Sequence, residues 1–296
     1  MAELNHTFTW QLKAPPERVF AALTEPAELK AWFADEAEVE PRSGGAFRFW
    51  GPHVYGAPRA GTQRLTRFEP GKALAFTWEM DGQPSEVVLE LTSGDAETNA
   101  GGTTLTGTHA FAQAPAIGRA AEMVDDLWRI LNGNLAAHLK GGEGLCRPDF
   151  ASPHPEVRVS TVIDAPVEKV FEAFIDPELL KRWCGAPAPV VEPRVGGAYV
   201  YGWSYEVDGR QVAGGPTRIL EYEPNRKLVT DWPDWRGDPT VPVQRITWLF
   251  EDLGGRTRVT VVHDGFVRAV DISDYPFGWA GFGEMLRSIF APAENA

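Results

Sequence analysis

The sequence predicts an α+β protein built from two tandem copies of one domain, and three observations carry this. Residues 40–49, EPRSGGAFRF, return at 192–201 as EPRVGGAYVY. The longer stretch LKAPPERVFAALTEPAELKAWF at 12–33 returns at 163–184 as IDAPVEKVFEAFIDPELLKRWC. In each copy the period of the apolar residues changes from helical to alternating and back to helical, the mark of a sheet flanked by helices.

The spacing between matched residues is 151 at Phe20/Phe171 and Trp32/Trp183, 152 at Gly44/Gly196, and 154 at Trp78/Trp232 and His109/His263. A drift this small is what loop insertions produce in a duplicated domain. Between the copies, residues 140–157 are rich in Gly and Pro and lack periodicity, which reads as a connector. The expected organisation is a first domain at 1–144, a linker at 145–152 and a second domain at 153–296, each near the commonest domain size.

Each copy opens with an alternating stretch, TFTWQL or VRVSTVI, expected as a strand. Ala-Pro follows, and Pro15 and Pro166 suit the start of a helix, where a missing N–H costs little. Val19, Phe20 and Leu23, like Val170, Phe171 and Phe174, share one helical face. A second short helix is expected from Pro26 or Pro177, carrying Leu29 and Trp32 or Leu180 and Trp183. The Gly pair then turns the chain into a series of strands: AFRFW, TQRLTRF, LAFTW, EVVLEL and TLTGTHAF in the first copy. The second copy has AYVYGW, PTRILEY, KLVTDW, QRITWLF and TRVTVVHDGF. A helical segment closes each copy, long in AIGRAAEMVDDLWRILNGNLAAHL and shorter in WAGFGEMLRSIF. Alternation of this kind is met by an antiparallel sheet covered on one face, so a curved sheet wrapped around the terminal helix is expected.

The composition narrows the function. The 296 residues carry a formal charge of −13 shared almost equally between the halves, which disfavours nucleic acid and anionic membranes as partners. The two cysteines, Cys146 and Cys184, fall in no metal-binding or disulfide spacing. No signal-like start and no bilayer-length apolar run occurs, so a cytoplasmic location is expected, without membrane insertion. The Gly pairs at 44–45 and 196–197 precede strands rather than helices and do not form a phosphate loop. No metal or other cofactor is called for, and no nucleophile elbow or catalytic triad can be assembled.

The motif order APPERVFAALTEPAELKAWF, EPRSGGAFRF, FEP and THAF, matched by APVEKVFEAFIDPELLKRWC, EPRVGGAYVY, YEP and VVHDGF, resembles the START-like (SRPBCC) superfamily. Within it the likeness runs to homologues of the activator of the heat-shock chaperone ATPase. The second copy follows the pattern with few departures; the first departs late, where THAFAQAPAIGRAA replaces the compact HDGF turn. The resemblance implies a helix-grip fold with an apolar cavity between sheet and helix. It implies much less about activity, because one fold hosts many functions.

Strand parity selects the side chains that would line that cavity. Phe47 and Phe49 share a face, as do Tyr199 and Tyr201. Trp78 and Trp232 take matching places, Trp248 alternates against charged neighbours, and His109 and His263 lie in the inward phase of the last strands. Trp203 and Trp235 are expected at the rim of the second copy. For each histidine the plain reading is a tautomer fixed by a backbone carbonyl, and the sharper one is a polar anchor for a ligand. A general base needs a partner acid, and none stands at a telling spacing; no catalytic residue is assigned, and binding is favoured over catalysis. The expected function is therefore binding of a small apolar or aromatic molecule, with the richer site in the second copy. A chaperone-ATPase regulator or interaction module is one alternative, discounted because the first copy starts near residue 7. A cyclase- or hydrolase-type enzyme acting on an aromatic or polyketide-like substrate is the other.

Overall fold

A computed structural model describes residues 3–56, 61–95, 97, 99–142 and 144–291. The chain divides into two compact units, Met1–Ser152 and Pro153–Ala296. The first runs β1 (Leu4–Leu12), α1 (Pro16–Thr24), α2 (Pro26–Trp32), β2 (Glu36–Val39), β3 (Phe47–Trp50), β4 (Leu65–Glu69), β5 (Ala73–Met80), β6 (Gln83–Ser93), β7 (Thr103–Phe111) and α3 (Ala120–Leu139). The second repeats the plan with β8 (Glu156–Ile163), α4 (Val167–Ile175), α5 (Pro177–Cys184), β9 (Val190–Val191) and β10 (Tyr199–Val200). It continues with β11 (Trp203–Val207), β12 (Arg210–Gly214), β13 (Ile219–Glu223), β14 (Lys227–Trp232), β15 (Gln244–Asp252), β16 (Thr257–Asp264) and α6 (Tyr275–Ser288).

Each unit has a five-stranded antiparallel sheet, ordered β1-β7-β6-β5-β4 in the first and β13-β14-β15-β16-β8 in the second. The fold is the expected α+β helix-grip arrangement, twice. Prolines set the helix starts as the sequence suggests: α1, α2 and α5 each carry Pro in the first turn. Asp176 adds a side-chain cap to α5, accepting from Glu178 N at 2.7 Å and Leu179 N at 3.1 Å.

The repeated EPRxGG stretch has a backbone reason. Gly44 and Gly196 adopt φ of +78° and +75°, a region glycine enters without strain. A Cβ on the following Gly45 or Gly197 would sit 2.4 or 2.2 Å from the carbonyl of Glu40 or Glu192. Both positions thus need glycine to turn the chain into the next strand. Two features were not foreseen. Short strands β2 and β9 precede this turn, and β11, which carries the expected rim residue Trp203, forms a hairpin with β12 at Asp208-Gly209.

Segment 145–152, expected as a linker, is held against the first unit. Asn134 of α3 donates from Nδ2 to the Cys146 carbonyl at 2.6 Å and accepts the Cys146 N–H at 2.7 Å. Arg147 donates to Asp35 at 3.1 Å, the Phe150 N–H bonds the Pro52 carbonyl at 3.1 Å, and the Phe150 ring meets Tyr55 edge-on. Among the described residues no helix is long and apolar enough to cross a membrane.

Candidate functional site

The concave face of each sheet and the terminal helix enclose a layer of aromatic rings. In the first unit Phe47, Phe49, Trp78 and His109 are buried. Phe49 lies 5.1 Å from Trp78, which stacks on His109 at 5.6 Å. In the second unit Tyr199, Tyr201, Trp232, Trp248 and His263 are buried, while Trp203 and Trp235 are half-buried. Trp203 is 4.6 Å from Tyr201 and 6.3 Å from Trp232, so the structure joins it to the inner cluster. The guanidinium of Arg236 covers the Trp235 ring at 4.4 Å.

The two histidines are built identically. His109 Nδ1 accepts the indole N–H of Trp128 in α3 at 3.1 Å, and His263 Nδ1 accepts that of Trp279 in α6 at 3.2 Å. On the other side His109 Nε2 contacts Ser85 Oγ at 2.7 Å, and Ser85 already donates to the Trp78 carbonyl at 2.6 Å. The serine oxygen can therefore only accept here, which places the imidazole proton on Nε2. His263 donates from Nε2 to Gln244 Oε1 at 2.8 Å in the same way.

The partners are thus side chains rather than the expected backbone carbonyl, and each histidine latches sheet to helix. Burial pushes both pKa values down from 6.5 to about 3, so both are neutral. With the lone pair held by an indole and the proton by an oxygen, neither ring is arranged as a base. Trp128 and Trp279, which complete the latches, were not among the expected residues. The signal was present: they stand 151 apart, the offset of the opening repeat.

The aromatic layer is closed in this conformation. In the first unit the space bounded by Trp10, Leu23, Phe33, Phe76 and Trp128 is about 20 Å³. In the second, the space bounded by Trp183, Trp248, Trp279, Phe282 and Gly283 is about 10 Å³. Such volumes accommodate about one water, whereas ligand pockets run to roughly 300–1,000 Å³. Among the described residues, these enclosed spaces are lined by the chain's own rings and are too small for a ligand in this conformation. A groove of about 690 Å³, lined by Phe20, Pro26, Val39 and Lys72, is open to solvent and contains none of the expected site residues.

The two units differ in how the helix holds this layer. α3 buries nine residues, from Met123 to Leu135. α6 buries only Trp279 and Leu286 and carries glycines at 278, 281 and 283. Gly283 lies against β8: a Cβ there would stand 2.2 Å from Thr161 Oγ1. The second unit also replaces Phe47 and Phe49 with Tyr199 and Tyr201. The Tyr199 hydroxyl donates to the Phe174 carbonyl at 2.8 Å, its ring lies 5.5 Å from that of Tyr201, and burial pushes both phenols up. Among the described residues no group of three metal-ligating side chains assembles.

The family model described as Activator of Hsp90 ATPase homolog 1-like protein matches residues 13–140 and again 164–291. Among solved structures, DynU16, a protein of the dynemicin biosynthetic locus, is 19% identical; 97% of this chain and 99% of that one are covered, at a TM-score of 0.41. CalU16 from Micromonospora echinospora is 25% identical over 47% of this chain and 75% of its own, at 0.38. An AHSA1-like protein from Rhizobium etli is 27% identical over 48% and 85%, at 0.37. All three TM-scores fall below 0.5, so the assignment rests on the doubled family match. No curated protein matches the chain.

Proposed function

The chain belongs to the Activator of Hsp90 ATPase homolog 1-like family in both of its halves, and from that premise we propose that it binds a small apolar or aromatic molecule between sheet and terminal helix, with the second unit as the working site. The observation that carries this reading is the light anchoring of α6 over a floor of aromatic rings. From α6, Trp279 and Phe282 meet the rings of Trp183, Trp232 and Trp248 below at 5.2–6.2 Å.

Burying a large apolar side chain contributes about 1.5–3 kcal/mol, and α6 has two such anchors where α3 has several. Each glycine within a helix costs about 1 kcal/mol relative to alanine. By buried side chains α6 is held less than α3, and elements that move for ligands come from the low-stability end of a fold. Lifting it parts Trp279 from His263 and turns a sealed aromatic layer into an open cleft. The ligand then replaces ring-on-ring contacts, and the freed His263 lone pair offers an acceptor. Binding is the reading supported here rather than catalysis, since burial lowers the His263 pKa to about 3 and makes it a weak base, and among the described residues no carboxylate is hydrogen-bonded to it.

Native mass spectrometry of the intact chain with a neutral solvatochromic naphthalene probe tests this. One probe per chain, with a blue-shifted emission that Trp279→Ala alters, is expected. A stable chaperone complex together with no probe uptake would favour the interaction role instead.

A further inference from the structure

The open groove of the first unit, about 690 Å³, is of the size that holds a small molecule, roughly 300–1,000 Å³. One wall is a single face of α1 and its C-terminal cap, where Glu17, Phe20, Ala21, Thr24 and Glu25 recur at helical spacing. The other wall is Val39 at the end of β2, Pro41 beyond it, and Pro70, Gly71 and Lys72 in the β4–β5 turn.

The second unit has different side chains on this face. The 151-residue offset sets Ala21 against Glu172, Thr24 against Ile175 and Glu25 against Asp176. Ala21 and Thr24 are the smaller of each pair, and they leave room between helix and turn. Asp176 uses its carboxylate to cap α5, accepting from Glu178 N and Leu179 N. Glu25 holds the equivalent position before α2 and makes no side-chain cap bond. Leaving a helix start uncapped costs stability, and the carboxylate it frees stands exposed on the groove wall.

Glu17 is likewise exposed, and among the described residues neither carboxylate enters a hydrogen bond or an ion pair. Lys72 is the single basic residue of the lining, and its charge already acts on Glu69 at the other end of the turn. Apolar walls thus carry two uncompensated carboxylates, in a chain whose net charge of −13 draws cations towards it.

We propose that this groove binds a small organic cation with an apolar body, an arylalkyl ammonium, whose ring packs on Phe20, Pro41 and Pro70 and whose ammonium pairs with Glu25. Burial of the ring supplies affinity, and the ammonium supplies selection, because a neutral isostere forfeits the ion pair and an anion meets two carboxylates. Glu17, eight residues away and about 12 Å along the helix, adds to the field rather than to the contact. The groove is open as it stands, so no element has to move, and the site is independent of the reading beneath α6.

The test titrates the intact chain with naphthylethylammonium and with its neutral isostere naphthylethanol, following α1 by NMR. The cation is expected to bind about fivefold tighter, the upper range for a solvent-exposed ion pair, and to shift the Phe20, Ala21 and Thr24 resonances. Glu25→Gln is expected to erase that margin. Glu25→Asp, which installs the capping residue of the second unit, is expected to raise the melting temperature and to weaken the cation although the charge is kept. Ala21→Gln with Thr24→Ile fills the groove and is expected to abolish binding while the rest of the first-unit spectrum stays unchanged. Equal affinity for the two probes, shifts confined to residues outside α1, a margin that survives in Glu25→Gln, binding that survives in the filled variant, or no binding of either probe overturns the proposal. These outcomes are read at α1, so they stand apart from a failure of probe uptake beneath α6.

Discussion

Lowering the pH from 7.5 to 5.0 is expected to weaken each unit through its sheet-to-helix latch. His109 and His263 are fully buried with both ring nitrogens engaged, and burial holds their pKa values at about 3 against an ordinary 6.5. Below pH 6.5 the unfolded chain takes up a proton at each histidine, whereas the folded chain does not until about pH 3. The stabilisation is therefore complete above pH 6.5 and is lost progressively as pH falls. At about 1.36 kcal/mol per pH unit, the loss at pH 5.0 is about 2 kcal/mol per histidine. Carboxylates contribute little in that window, since their unfolded values lie near 4.

His6 is also depressed by burial, so the first unit has a second source of slope, and the second unit gives the cleaner reading. Urea unfolding at the two pH values measures the loss. His263→Gln removes one proton's worth of slope whatever it does to absolute stability. The direct check is an NMR titration of ¹³C-labelled imidazoles, in which His263 stays neutral to pH 4.5. A midpoint above pH 5.5 in the folded protein refutes the buried, doubly bonded histidine.

Two further outcomes follow from single hydrogen bonds. Asn134→Ala removes both bonds to the Cys146 backbone, costing about 2–3 kcal/mol. The Cys146 thiol, whose pKa burial pushes up to about 12, then labels with a disulfide reagent roughly 30-fold faster; an unchanged rate means that Asn134 does not hold the segment. Tyr199→Phe installs the residue that the first unit has at Phe47 but leaves the Phe174 carbonyl without its phenol donor. A loss of about 1–2 kcal/mol in the second unit is expected, and equal stability would show that the hydroxyl contributes nothing.

Much of the architecture was legible because it follows from local chemistry. The 151-residue offset locates equivalent helices, Pro marks where they start, and a period of two puts Phe47, Phe49, Tyr199 and Tyr201 on the covered face. What escaped was set by contacts between elements. The Trp128–His109 and Trp279–His263 latches need a helical phase and a strand phase to meet in space, which neither pattern reveals alone. Whether the interior is open depends on the summed volume of rings from five strands and a helix. A change of one methylene there is felt, and parity carries no volume. The β11–β12 hairpin had a readable signal in Asp208-Gly209, both at positive φ, the turn favoured between paired strands. The tryptophans around it drew the reading towards a rim. The groove beside α1 had no signal at all, since its walls come from separate segments that meet only in the fold.

The central claim is that α6 must lift for a ligand to enter, and a reversible lock tests it most directly. A Cβ on Gly283 would lie 3.2 Å from the Thr161 Cβ, close to the 3.5–4.5 Å typical of a disulfide, so Thr161→Cys with Gly283→Cys can tie α6 to β8. The account predicts that the oxidised double variant takes up no naphthalene probe in the second unit and that reduction restores one probe per chain. Equal uptake by the oxidised and reduced forms would contradict it.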